Sequence, residues 1–371
     1  MTVVFFISGH GFGHASREVE VINALGARAG AGLRVIIRSA VSAALLERTV
    51  KVPYELRPGI CDTGIVQANS VTHDDDATTA AAATFYAAFD ATVAEEAAAL
   101  RDARPDVIVC DASPLGLAVA AALGVPSLFI GNFTWDWIYE THGDLATRAP
   151  HVIPAIRRAH ALATAAYRLP LSPSFAGTGL PQAHDLPLIA RQPTQTRHDT
   201  RAHLGLPQDR RLALLSFGGY GLNALDLAHV DSAAEWSLVV ADQSMSDPRI
   251  LALPHVHVIR ERDLTGAVRY EDVVAAVDAV ITKPGFGIIG ECATAGTPMV
   301  YTSRGDFREY DVLVREMPRV LRCAFISQDD LFSGRWQHAL QAAVTAAAPP
   351  ERWPPDGARV AADAIVALAQ R

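Results

Sequence analysis

The sequence predicts an α/β protein built from two Rossmann-like, doubly wound halves that face each other across a cleft. Three observations predict it. Short runs rich in β-branched and aromatic residues alternate with helical stretches, the rhythm of parallel strands joined by crossover helices. Twice, such a run opens into glycines: Gly9, Gly11 and Gly13 early in the chain, then Gly218, Gly219 and Gly221. The chain of 371 residues, 50% hydrophobic and 19% charged, is long for one domain and apolar enough to bury two cores.

In the first half, residues 3–7 read as a buried strand, 16–27 as a helix and 33–37 as the next strand. Residues 77–100 are alanine-rich and predict one long helix. Residues 106–110 are a strand, 115–123 a helix and 126–130 a strand. Between 186 and 208 the pattern lapses: Pro187, Pro193 and Pro207 punctuate a polar stretch that reads as an interdomain linker. The rhythm then restarts. Strands are expected at 212–217, 237–241, 256–259, 279–282 and 299–302, with helices at 271–277 and 287–295. An amphipathic helix at 357–370 follows Pro354 and Pro355. The halves are set at 1–190 and 191–350, with 351–371 as a terminal helical segment.

Bulk properties exclude several functions. The formal net charge of −8 repels phosphate backbones, so nucleic acid is not an expected partner. The four cysteines form no C-x-x-C pair, which argues against a zinc knuckle or a disulfide framework and for a reducing, cytoplasmic setting. The start of the chain has no basic leader. No apolar stretch reaches the roughly 18 residues that a membrane span needs. Peripheral contact with a membrane stays open.

The first glycine loop, Ser8-Gly9-His10-Gly11-Phe12-Gly13-His14, falls between a strand and a helix, where doubly wound sheets bind ligands. Its spacing is not that of a dinucleotide fingerprint, and the second strand ends in Arg38-Ser39 rather than in an acidic residue. NAD is disfavoured on both counts, although Arg38 leaves an NADP reductase as a rival. His14 stands where the helix begins, and an imidazole there can take the proton of an attacking hydroxyl. Asp111 follows the 106–110 strand and can orient that ring, or it can simply cap the next helix. His10 is the competing base. Phe12 belongs with the acceptor side of the loop.

The second half offers an anion site. Ser216, Gly218 and Gly219 can present backbone N–H groups to a phosphate, or form a plain turn. The segment Thr282-Lys283-Pro284-Gly285-Phe286-Gly287 feeds a short helix whose amino end can hold a diphosphate, with Lys283 adding charge. Glu291, one turn further, stands among apolar and small residues. It reads as a ligand for ribose hydroxyls, against the alternative of a solvated helix residue. Glu309 and Asp311, after the next strand, would face donor sugar hydroxyls, or belong to an ordinary polar loop.

Two motifs remain ambiguous. Asp74-Asp75-Asp76 has the look of a D-x-D metal motif, but it sits away from both glycine turns and reads as a solvated loop or an acceptor contact; no metal site is expected. Trp135 and Trp137 can stack on an acceptor sugar or pack within a helix.

Taken together, Ser8 to Arg17, Cys61-Asp62-Thr63-Gly64-Ile65-Val66-Gln67, Asn132-Phe133-Thr134-Trp135-Asp136-Trp137-Ile138-Tyr139 and Phe217-Gly218-Gly219 resemble the glycosyltransferase-like N-terminal part of plant-type L-arabinokinases and its stand-alone bacterial relatives. The stretch from Lys283 to Pro298 is similar to the donor-binding signature of the bacterial cell-wall N-acetylglucosaminyltransferases of glycosyltransferase family 28. The resemblance implies a GT-B fold and an inverting, metal-independent transfer from a UDP-sugar, with no further cofactor, to a small-molecule or lipid-linked acceptor. It makes His14 the base and Glu291 the ribose ligand, and it sends the terminal helix back onto the first domain. Ile288 stands where those transferases carry a hydroxyl, and Arg308-Glu309-Tyr310-Asp311 replaces their His/Asp-x-x-Gln pattern. Two rivals share the fold: a nucleotide-sugar 2-epimerase and a non-catalytic sugar-nucleotide binding module.

Overall fold

The computed structural model describes residues 1–67, 72–217, 235–241, 248–264, 266–305 and 307–371. Each half holds one parallel sheet. The first comprises β1 (Thr2–Ile7), β2 (Arg34–Ser39), β3 (Tyr54–Pro58), β4 (Val107–Asp111), β5 (Ser127–Gly131), β6 (Ala165–Arg168) and β7 (Ala183–Asp185), in the order β3-β2-β1-β4-β5-β6-β7. The second comprises β8 (Arg211–Ser216), β9 (Trp236–Ala241), β10 (Val256–Ile259), β11 (Ala279–Thr282), β12 (Met299–Tyr301) and β13 (Cys323–Phe325), in the order β10-β9-β8-β11-β12-β13. The central strands are buried on both faces, as helices cover both sides of each sheet.

In each sheet the order reverses once, between β1 and β4 and between β8 and β11. A crevice opens at the carboxyl ends of the strands at such a point. The register brings Ile7 beside Asp111 in the first sheet and Ser216 beside Thr282 in the second. The first glycine loop, after β1, and the segment after β11 therefore start at these crevices.

Several expectations are corrected. Residues 77–100 are not one helix but two, Asp75–Ala87 and Phe89–Leu100, which meet at Ala88. The break lets Tyr86 and Phe89 stack their rings, 5.4 Å apart, inside the core. The supposed linker contains a helix, Arg197–His203, capped by the Thr196 side chain. Its Arg201 is buried against Asp278 and the Ala276 carbonyl, so this stretch is part of the second lobe. Strands β3, β6 and β7 carry mixed polarity and β13 is only three residues long, so the periodic signal passes over them.

The terminal helix, Gly357–Ala369, returns to the first lobe and packs on the helix Phe12–Ala29. Its Ala361, Ala362 and Ile365 join the same apolar cluster as Val21, Ile22 and Leu25, and Arg28 pairs with Asp363 at 2.9 Å. Gly357 lies where a Cβ would come within 2.2 Å of the Pro187 carbonyl oxygen. Its N–H donates to the Leu188 carbonyl at 3.1 Å.

Candidate active site between the two lobes

The helix Phe12–Ala29 begins at Gly11, whose φ of 76° only glycine adopts without strain, and no side chain caps it. The helix Phe286–Ala295 begins at Gly285, also without a side-chain cap. These two amino ends meet across the cleft: a Cβ placed on Gly287 would lie 3.7 Å from Gly13 Cα, and one on Gly285 meets no heavy atom within 4 Å. Each end carries about half a positive charge and N–H groups without helical partners.

His14 lies in the first turn of its helix and is nearly buried. Its Nδ1 is 2.8 Å from Asp111 Oδ2, which fixes the ring and leaves Nε2 as the nitrogen that Asp111 does not engage. Asp111 also accepts from Arg17, one turn beyond His14. Burial pushes the Asp111 carboxyl up, but Arg17 and His14 beside it hold it below the usual carboxylate range. Asp62, which accepts from Ser8 Oγ at 3.0 Å, is pushed up to about 6 by burial, with His14 and Ser8 pulling the other way. Behind them Glu18 is fully buried, and neither carboxyl oxygen has a hydrogen-bond partner. Burial, reinforced by Asp111, raises it to about 8.

His10 is committed elsewhere. Its Nε2 faces both the N–H and the carbonyl of Ile65, and burial lowers the imidazole to about 4. This corrects its place as a competing base: the ring holds the 61–67 loop. Trp135 is a second correction. It is buried edge-on to His10 and Phe133 and stacked on Tyr139, so it packs inside the first lobe rather than offering an open platform. Trp137 presents its ring to Arg308 of the other lobe, 4.4 Å away.

On the facing lobe, Lys283 follows β11, and burial together with Arg304 lowers its amine to about 7. The Arg17 guanidinium lies over the Phe286 ring at 5.3 Å, a contact between the lobes. Ser216 Oγ lies 2.6 Å from the Tyr270 hydroxyl. Glu291 is not the lone carboxylate that its neighbours in sequence suggest. Arg191 donates to it twice, from Nε at 2.7 Å and from Nη2. Burial still leaves the Glu291 carboxyl above its ordinary value, with Arg191 opposing. Glu309 turns towards the first lobe, where it accepts from Asn132 Nδ2 at 2.6 Å, and it pairs with Arg304 at 3.6 Å. Asp311, two residues on in the same helix, points the opposite way and is exposed; the expectation that both carboxylates face the donor sugar is therefore corrected for Asp311. Gly218, Gly219 and the Phe12 side chain lie outside the described residues.

The aspartate run is structural. Asp74 caps its helix by accepting from Ala77 N at 2.8 Å, Asp75 pairs with His142 at 3.2 Å, and Asp76 pairs with Arg148. Among the described residues no group of three or more His, Cys, Asp or Glu is arranged to hold a metal ion, and no helix is long and apolar enough to cross a membrane. Residue-by-residue reading missed Arg17, Asn132, Arg191 and Arg304. The partners of Arg17, Asn132 and Arg191 lie roughly 100 positions or more away in the chain, and spacing carries no trace of such pairs; Arg304 pairs with Glu309 only five positions on, where a loop gives no periodic signal.

No protein-family model matches the chain. Over 353 residues, 93% of the chain, it is 27% identical to L-arabinokinase of Arabidopsis thaliana, covering 32% of that protein. Over 139 residues it is 29% identical to the UDP-N-acetylglucosamine--N-acetylmuramyl-(pentapeptide) pyrophosphoryl-undecaprenol N-acetylglucosamine transferase of Clavibacter michiganensis, with 35% of each chain covered. The chain thus spans about a third of the length of these curated relatives. The resemblance read from the motifs is the one that these comparisons find. Among solved structures, the glycotransferase of kitacinnamycin matches with a TM-score of 0.61 at 18% identity, over 100% of this chain and 96% of that one. Glycosyltransferase VinC in complex with dTDP matches at 0.60 and 16%, over 100% and 95%. Phytolacca americana UGT2, complexed with UDP-2-fluoro-glucose and pterostilbene, matches at 0.60 and 12%, over 100% and 94%. The likeness is one of fold, and the fold is GT-B.

Proposed function

We propose that the protein is a glycosyltransferase that moves a sugar from a nucleoside diphosphate sugar to a hydroxyl of an acceptor, with inversion and without a metal. One observation carries the reading: two uncapped helix ends meet at Gly13 and Gly287, beside the His14–Asp111 pair. A diphosphate suits converging N–H groups and two partial positive charges, and Lys283 adds a cation that a bound anion would keep protonated. The relatives named for UDP-N-acetylglucosamine transfer and the neighbours bound to dTDP or a UDP-sugar support the donor class, with UDP the first base to test.

In this reading the acceptor hydroxyl lies against His14 Nε2. Its oxygen attacks the anomeric carbon, the bond from that carbon to the diphosphate oxygen breaks, and the electron pair leaves on the diphosphate. The hydroxyl proton passes to His14, and Asp111 stabilises the imidazolium. Departing charge accumulates at the two helix ends, which need no rearrangement to receive it. The four free thiols, three of them buried, suit the cytoplasmic setting that we include in the proposal.

A thermal-shift screen of UDP, GDP, dTDP and NADP tests the donor class. A ligand that binds only the folded chain stabilises it by about 2.7 kcal/mol at 100 times its Kd. One nucleoside diphosphate is expected to raise the melt; a shift with NADP alone overturns the reading. Slow hydrolysis of the matching donor, lost in His14→Ala, is the second expected result. Interconversion of the donor with its 2-epimer would favour the epimerase instead.

A further inference from the structure

We propose that Asn132 and Glu309 form a latch between the lobes that ties occupancy of the donor turn to the alignment of His14; the inference rests on the function proposed above. The contacts form an unbroken path. His14 Nδ1 meets Asp111, Asp111 accepts from Arg17, and Arg17 Nη1 donates to Asn132 Oδ1 at 2.9 Å. Asn132 Nδ2 then donates across the cleft to Glu309 Oε1 at 2.6 Å. Glu309 pairs with Arg304 at 3.6 Å, and Arg304 Nη1 donates to the Pro284 carbonyl at 3.5 Å, in the turn that opens the Phe286–Ala295 helix.

Chemistry fixes the direction of the central link. Arg17 can only donate and Glu309, when ionised, can only accept, so the Asn132 amide fits one way round. Turned over, it would set donor against donor and acceptor against acceptor. Arg17, Asp111, Asn132 and Glu309 are between 1% and 5% exposed, so no bulk water substitutes for a broken link. The links at Arg304 are the longest on the path, and its Nε is buried without a hydrogen-bond partner. A diphosphate arriving at the turn would draw on this guanidinium. The shift passes through Glu309 and Asn132 to Arg17, and so to the carboxylate that orients the base. Asn132, Glu309 and Arg17 are thus positioning residues, and lobe closure and base alignment become one event.

The test exchanges the polarity of the latch. Asn132→Asp keeps an acceptor for Arg17 but sets a carboxylate against Glu309. It is expected to lower kcat by about tenfold or more, as misplacement of a catalytic group does, and to change the pH profile of kcat. The melting point of the free protein is expected to fall, since a second carboxylate is buried against Glu309, while donor Kd measured well below that melt is expected to stay within a few fold of wild type. Adding Glu309→Gln gives residue 132 a donor from the other lobe, and the double variant is expected to recover most of kcat and the wild-type pH profile. Arg308→Ala removes an interlobe contact off the path, to the Trp137 carbonyl and Glu140; it is expected to leave the pH profile in place. Should Asn132→Asp fail to fold, Glu309→Gln alone carries the test: it keeps the acceptor for Asn132 but drops the charge facing Arg304, and donor KM is expected to rise. A fully active Asn132→Asp, a double variant whose kcat at saturating donor is not rescued, or an unchanged KM in Glu309→Gln overturns the latch. Wild type that binds no nucleoside diphosphate overturns the function itself.

Discussion

The two edges of the cleft are built on opposite plans. On the first lobe, His14, Asp111 and Arg17 hold one another, and His10 and Asp62 have partners of their own. On the second, the helix at Phe286 opens without a capping side chain, and burial disfavours the charge on both neighbouring cations, Lys283 further lowered by Arg304 and Arg304 held up by Glu309. In the proposed reaction the first edge is assembled in advance to handle a proton, and the second is an electrostatic socket that an anion completes. A proton acceptor loses its power when its orientation wanders, whereas a socket for a leaving group gains from being charged and underfilled.

The largest expected effect tests whether the edges are separable. His14→Ala should cut transfer by roughly 10²–10⁴-fold, the range for loss of a general base. The melting shift given by the nucleoside diphosphate should survive. Loss of both together would break the comparison, because the donor edge would then depend on the acceptor edge.

Lys283 sharpens it. The amine sits at about 7 in the free protein, and a bound diphosphate favours its charged form. Binding must then take up a proton above pH 7, so affinity falls as pH rises from about 7 to 9. Calorimetry with UDP in buffers of different ionisation heat measures that uptake. Lys283→Met should weaken binding about tenfold, the worth of one charge-assisted contact, and abolish the slope.

Glu18 gives an effect on stability. Its folded value of about 8 lies above the ordinary 4.5, so between those values the unfolded chain binds fewer protons than the folded one. Stability contributed by the protonated group is complete below about 4.5 and is lost as pH rises through 8. Glu18→Gln should therefore gain a few kcal/mol (about 4 as an upper bound) over wild type at pH 8, and less than about 1 at pH 5, in urea midpoints. An equal gain at both values would place the effect in packing.

The smallest effect is a near absence of one. Asp75→Asn and treatment with a chelator should each change transfer by less than about twofold, since surface pairs contribute little. A tenfold loss on chelation would restore the aspartate run as a metal site.

Periodicity displayed the architecture well because the central strands of parallel sheets are apolar on both faces; Val3 to Ile7 and Val107 to Cys110 stand out for that reason. It did not show β3, with four half-buried residues and one exposed, or β13, a short run that includes the exposed Phe325. The same limit applies to the site. His14 and Asp111 could be paired on paper because β1 leads into the loop before His14 and β4 ends at Asp111, the two strands at the switch of the first sheet. Asn132 had no such marker: its meaning lies in a carboxylate 177 positions later, on the other lobe. Glu291 misled for the complementary reason, since apolar neighbours in sequence hid a guanidinium brought in by the chain before β8.

The hydrogen bond between Gly357 and Leu188 has a mechanical consequence. The backbone passes between the lobes twice, after β7 and again ahead of the last helix, and this bond clamps the two passages side by side. A single strand of chain would let one lobe spin on the other. A doubled spine restrains twisting more than bending, and so favours the alignment that sets the glycines at 13 and 287 face to face.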